Sequence, residues 1–158
     1  MLPVRKIVCP IDFSEPSYAA LKIAGELARH FGSFLDVIHV IPPVPVHSPY
    51  PDPPVAVSFD VPLYQQELAV YSEKVLKDVV GKKVSAEIGT LATVLTGDPA
   101  QEILAFAAKE NAGLIVIATH GQTGWRHLLS GSVAEKVVRL ATCPVLTIRA
   151  PQGEKPKK

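Results

Sequence analysis

The chain has 158 residues, of which 47% are hydrophobic and 20% charged, with a formal net charge of +1. That length suits one domain with a full core, and the composition is that of an ordinary globular protein. The near-neutral balance shows no basic face to attract nucleic acid, and no apolar run approaches the ~20 residues of a membrane span.

Neither nucleic acid nor membrane is therefore expected as a partner. Met1 to Lys6 runs straight into a strand pattern and lacks the layout of a signal peptide. Cys9 and Cys143 are far apart and form neither a disulfide framework nor a metal motif. A cytoplasmic protein with reduced thiols is the expectation. Residues 1–150 read as a single domain, and 151–158, with its basic end at Lys155 to Lys158, as a flexible, solvated tail.

In chain order, Arg5 to Asp12 reads as a short buried strand, with Pro10 stopping the ladder and Asp12 left at the carboxyl end. Ser14 is the expected N-cap of the first helix, with Glu15 and Pro16 in its first turn. Leu21, Ala24, Leu27, Ala28 and Phe31 make its apolar face, Lys22, Glu26 and Arg29 lie opposite, and Gly32 ends it. Phe34 to Ile41 is a second, interior strand, in which His39 reads as a packed or hydrogen-bonded residue rather than a catalyst.

Residues 42–62 hold eight of the 15 prolines. Such a stretch lacks the donors for helix or sheet and reads as a long internal loop. Too little chain precedes it for a linker between domains. Leu68, Tyr71, Val75 and Val79 mark a second helix closed by Gly81, and Lys83 to Leu95 reads as a strand interrupted by Gly89. Asp98, Pro99 and Gln101 open a third helix that buries Ile103, Leu104, Ala107 and Ala108. Gly113 to Ala118 is a strand buried on both faces, a helix from Ser132 buries Val133, Val137 and Leu140, and Pro144 to Arg149 is the last strand.

Strands and helices thus alternate, which calls for an α/β fold: a five-stranded parallel sheet with helices on both faces. Ligands of such sheets bind beyond the carboxyl ends of the strands, where the strand order reverses. The polar turns after the first, third and fourth strands lie at that edge, with Val40 and Ile41 as an apolar wall beside them. The turn after the fourth strand is the most suggestive. Between Thr119 and Val133 it carries Gly121, Gly124 and Gly131 with Ser130 and Ser132, and Ser132 and Glu135 have the spacing of a capping box. Glycines that admit close backbone approach, followed by a helix N-terminus, suit a phosphate.

These residues resemble those of the universal stress protein family, and the resemblance covers roughly Arg5 to Arg149. Nucleotide-binding members carry Gly-x2-Gly-x9-Gly-Ser/Thr after the fourth strand. Here Ala118 stands at the first glycine, and Gly121, Gly131 and Ser132 match the rest. The segment Val8 to Ser14 and the run Gly97 to Ala100 also follow family habits. The resemblance implies strand order 3-2-1-4-5 and an adenine nucleotide, ATP foremost. It implies that Pro10, Asp12 and Val40 frame the adenosine, with Asp12 accepting hydrogen bonds on the ribose side. Thr119, His120, Gly121, Gly131, Ser132 and Val133 would line the phosphates. It also implies a homodimer paired through residues 144–149, and a regulatory protein partner is left unidentified.

No Walker lysine is present, so dipoles and a bound Mg²⁺ or Mn²⁺, held mainly through the phosphates, would neutralise the charge. His120 is placed either to touch phosphate or to pack beneath it. Arg126, His127 and Trp125 read as loop residues. No catalytic residue stands out, nor any protein-held metal site. The favoured reading is a regulatory, stress-response ATP-binding module with little turnover. A slow metal-dependent ATP hydrolase or phosphotransferase comes second, and a nucleotide-free dimeric interaction module third.

Overall fold

A computed structural model describes residues 4–43, 60–119 and 133–149. The elements follow the order β1 (Lys6–Pro10), α1 (Glu15–Phe31), β2 (Phe34–Ile41), α2 (Val61–Lys83), β3 (Thr90–Thr96), α3 (Pro99–Lys109), β4 (Leu114–Ala118), α4 (Val133–Leu140) and β5 (Val145–Ile148). All strand pairs are parallel and the sheet order is β3-β2-β1-β4-β5, as expected.

The local signals explain most boundaries. Ser14 caps α1 in extended conformation, and its hydroxyl accepts the Ser17 amide at 3.3 Å. Gly32 closes that helix in the left-handed conformation at φ 63°. Asp98 caps α3 through the Gln101 amide at 3.0 Å. Two cores lie on opposite faces of the sheet. One packs α1 and α2 through Leu21, Ala24 and Leu76 onto Ile7, Leu35 and Val37. The other packs α3 and α4 through Ile103, Ala107 and Val137 onto Val8, Ile38 and Ile115. Each large aliphatic side chain so buried contributes roughly 1.5–3 kcal/mol.

Several expectations need correction. The proline-rich stretch gives up its end to α2, because Asp60 caps that helix through the Leu63 amide at 3.0 Å and Pro62 fits the first turn. Residues 44–59 lie outside the described part. Gly81 does not close α2: the helix continues to Lys83, since an isolated glycine costs a helix only about 1 kcal/mol. The inner face of α2 runs through Ser72 and Leu76, which turns Tyr71 outward at 66% exposure.

β3 begins only after Gly89, whose carbonyl accepts the Leu35 amide at 2.9 Å. A Cβ on Gly89 would lie 2.9 Å from the exposed Phe34 ring, so a larger residue there would have to move that ring. Phe31, Ala108 and Leu140 sit at the rims of their helices and are exposed rather than buried.

Candidate functional site

The strand order reverses between β1 and β4, and the backbone shows how the ladder between them ends. Along β1 the odd residues face β2: the Arg5 carbonyl accepts from Phe34, and the Ile11 amide donates to Ile38 at 2.8 Å. The even residues face β4, as the Lys6 carbonyl does in accepting the Gly113 amide at 2.9 Å. Pro10 therefore turns a nitrogen without hydrogen toward β4. Direct β1–β4 pairing stops at Val8↔Ile115, while pairing with β2 persists to Pro10↔Ile38. The ladder is released on the β4 side alone.

Carried on, the β1–β4 offset puts Asp12 level with Thr119 past the end of this ladder. Asp12 stands in a tight turn in which its Oδ1 accepts the Ser14 amide at 3.1 Å and the Ser14 hydroxyl at 2.5 Å. This is an Asx-turn that merges into the α1 cap. Phe13, between them, has a left-handed backbone at φ 63°. Thr119 donates its amide to the Ile148 carbonyl at 3.0 Å, which fixes the start of the loop against β5. Val40 and Val133 pack partly buried on the α3–α4 core and give the edge an apolar side. The Asp12 carboxylate is felt nearby: burial first, then the Glu15 and Asp12 charges, push the Tyr18 hydroxyl above its ordinary pKa.

Pro10, Asp12, Val40, Thr119 and Val133 thus come together at the carboxyl edge of β2, β1 and β4 and at the start of α4. His120, Gly121, Gly131 and Ser132 lie outside the described residues, as do Trp125, Arg126 and His127. Ala118 ends β4 in ordinary strand conformation and is not among the positive-φ residues, so its backbone here does not require glycine.

Sequence reasoning did not anticipate the roles of Ser14 and His39 around Asp12. The Asp12-x-Ser14 spacing was a usable signal for the first. His39 Nδ1 lies 2.9 Å from the Ile11 carbonyl, a contact across 28 positions that no local pattern reveals. Among the described residues there is no cluster of three or more His, Cys, Asp or Glu side chains able to hold a metal ion. Nor is any described helix long and apolar enough to cross a membrane.

The comparison with known proteins agrees with this architecture. Residues 3–149 match the model of the universal stress protein family. The chain belongs to that family. It is 38% identical over 152 residues to a universal stress protein of Methanocaldococcus jannaschii, covering 95% of this chain and 85% of that one. Among solved structures, the universal stress protein UspA of Lactobacillus plantarum superimposes with a TM-score of 0.75 at 21% identity, covering 94% of this chain and 100% of its own. A universal stress protein solved with cAMP gives a TM-score of 0.65 at 18% identity, over 92% of this chain and 97% of that one. One from Archaeoglobus fulgidus solved with dAMP gives 0.55 at 21% identity, over 94% and 99%.

Proposed function

We propose that this universal stress protein binds an adenine nucleotide, ATP foremost, in the crevice between the ends of β1 and β4. We read it as a regulatory module of the stress response with little turnover. The observation that carries the reading is the one-sided release of β1 at Pro10, which places Asp12 and Thr119 past the end of the β1–β4 ladder where the strand order reverses. Asp12 offers a carboxylate to ribose hydroxyls, and Val40 gives the base an apolar neighbour. Gly121, Gly131 and Ser132 supply the phosphate side from the sequence motif. Relatives of the same fold solved with cAMP and dAMP support an adenine ligand.

Mg²⁺ or Mn²⁺ would be held mainly through the phosphates. The protein acts as a homodimer paired through the edge strand β5, and its two thiols suit the reducing cytoplasm.

The test is calorimetric titration of ATP and adenosine, with mass spectrometry of small molecules released from freshly purified protein. Asp12→Ala should weaken both ligands. Ser132→Ala should weaken ATP by roughly tenfold or more and adenosine little, because it removes a hydrogen bond to a charged group. Gly131→Val should abolish or severely weaken ATP binding with a modest loss of stability. ATP binding that survives Gly131→Val unchanged would make the nucleotide-free module the better reading. Metal-dependent turnover well above background would favour the hydrolase.

A further inference from the structure

Resting on that reading, we propose that His39 is a positioning residue for the nucleotide site: it holds the Asp12 turn in place without touching the ligand. Ile11 is the last residue before the turn, and β2 grips both of its polar backbone groups. Its amide donates to the Ile38 carbonyl at 2.8 Å, and its carbonyl lies 2.9 Å from His39 Nδ1. A carbonyl can only accept, so Nδ1 carries the hydrogen and the tautomer is fixed.

The same ring packs on Phe13, with centroids 4.3 Å apart and planes tilted by 37°. Phe13 is one of two non-glycine residues with positive φ among those described, and the other, Asn111, is a type that tolerates it. An aromatic residue in that conformation persists only where its surroundings hold it. His39 supplies that hold, binding the residue before Asp12 and the residue after it. Neighbouring strand residues point to opposite faces, so His39 faces the α1–α2 side while Val40 faces the α3–α4 side and its apolar wall.

The role is tested on the full chain with three variants, reading adenosine and ATP affinity, the urea midpoint, and ligand-free hydrogen exchange at the amides of residues 12–14. His39→Phe keeps an aromatic ring but loses the donor. It should weaken both ligands alike, by about tenfold, and speed exchange in the turn. His39→Asn places an amide nitrogen where Nδ1 was and should recover most of the affinity. Phe13→Gly removes the ring while leaving the backbone free to adopt positive φ. It should still weaken both ligands, and it decides the matter should His39→Phe fail to fold.

Unchanged affinity in His39→Phe or in Phe13→Gly, with the parent binding, overturns the positioning role and leaves the nucleotide reading intact. A parent that binds neither ligand overturns the nucleotide reading. Exchange in the turn then judges the hold on its own: faster exchange in His39→Phe sustains it, and unchanged exchange removes it.

Discussion

Ser14 donates both its amide and its hydroxyl hydrogen to one oxygen of Asp12, at 3.1 Å and 2.5 Å. The same hydroxyl accepts the Ser17 amide and caps α1. One small side chain therefore sets the helix start and the aim of the candidate ribose-binding carboxylate together.

Ser14→Ala should act on stability and binding at once. Loss of the cap should lower the unfolding free energy by about 1 kcal/mol. Adenosine affinity should fall as well, because Asp12 loses the hydroxyl that anchors Oδ1. Urea denaturation and calorimetry on the same preparation measure the two effects. Restoration of both by Ser14→Thr would tie them to the hydroxyl, whereas a stability loss with unchanged adenosine affinity would separate the cap from the site.

The thiols should behave unequally. Full burial pushes Cys9 up to about 12, while the half-buried Cys143 is raised less, again chiefly by burial. A thiolate-selective reagent should modify Cys143 in the native protein and Cys9 only in denaturant. Cys9 lies on β1 and Cys143 just before β5, with β4 between. Two strand spacings, roughly 10 Å, exceed the ~7 Å that a disulfide can bridge. Mild oxidation should leave no intramolecular bridge, and a peptide map linking the two cysteines would contradict the strand order.

The edge strand β5 should pair two copies. Leu146 is 37% exposed on a short strand at the sheet's rim, and β4 occupies only one of its sides. Such an edge invites pairing about a two-fold axis. Sedimentation should show a dimer for the parent at micromolar concentration and a shift to monomer for Leu146→Lys, with circular dichroism unchanged. A monomeric parent under those conditions would remove the proposal.

How far these features could be read from the chain depends on their range. Caps and apolar spacing are local, so Ser14, Asp98 and the buried runs of β2 and β4 announced themselves. The inner face of α2 did not, because Ser72 lies on it and Tyr71 does not. Gly89 looked like an interruption within a strand, and its closeness to Phe34 showed only in three dimensions. At the site, Asp12 was legible from its place at a strand end and from family likeness, whereas His39's grip on Ile11 needed the register of two strands. Asp36 is the sharpest case: a charge within an apolar strand has no meaning until its partner Lys6, 30 positions away, and that lysine's other partner Glu110, 74 positions away, are brought beside it.

Those partners support a last prediction. The Asp36 side chain is 2% exposed, Lys6 Nζ lies 3.6 Å from its Oδ2, and that oxygen has no hydrogen-bond partner. Lys6 Nζ also lies 2.6 Å from Glu110 Oε2, which accepts its hydrogen bond. Burial raises the Asp36 pKa against the opposing pull of Lys6, while the hydrogen bond from Lys6 lowers that of Glu110. The folded protein thus holds the Asp36 proton more tightly than the unfolded chain does. Through Asp36, stability falls as pH rises from the unfolded pKa through the folded one. Glu110 acts oppositely, its contribution being present above the unfolded pKa and lost as pH falls through the folded one. Lys6→Met leaves a buried carboxylate without its cation and should cost about 1–3 kcal/mol near neutral pH. Without Lys6 the Asp36 pKa climbs further, so the deficit should be smaller in mildly acidic buffer than near neutral pH, as the carboxyl takes up a proton. Adding Asp36→Asn to Lys6→Met should recover most of the loss near neutral pH. Urea unfolding of parent, single and double variants at both pH values measures this, and a Lys6→Met deficit that is the same at both would show that Asp36 does not carry the cost.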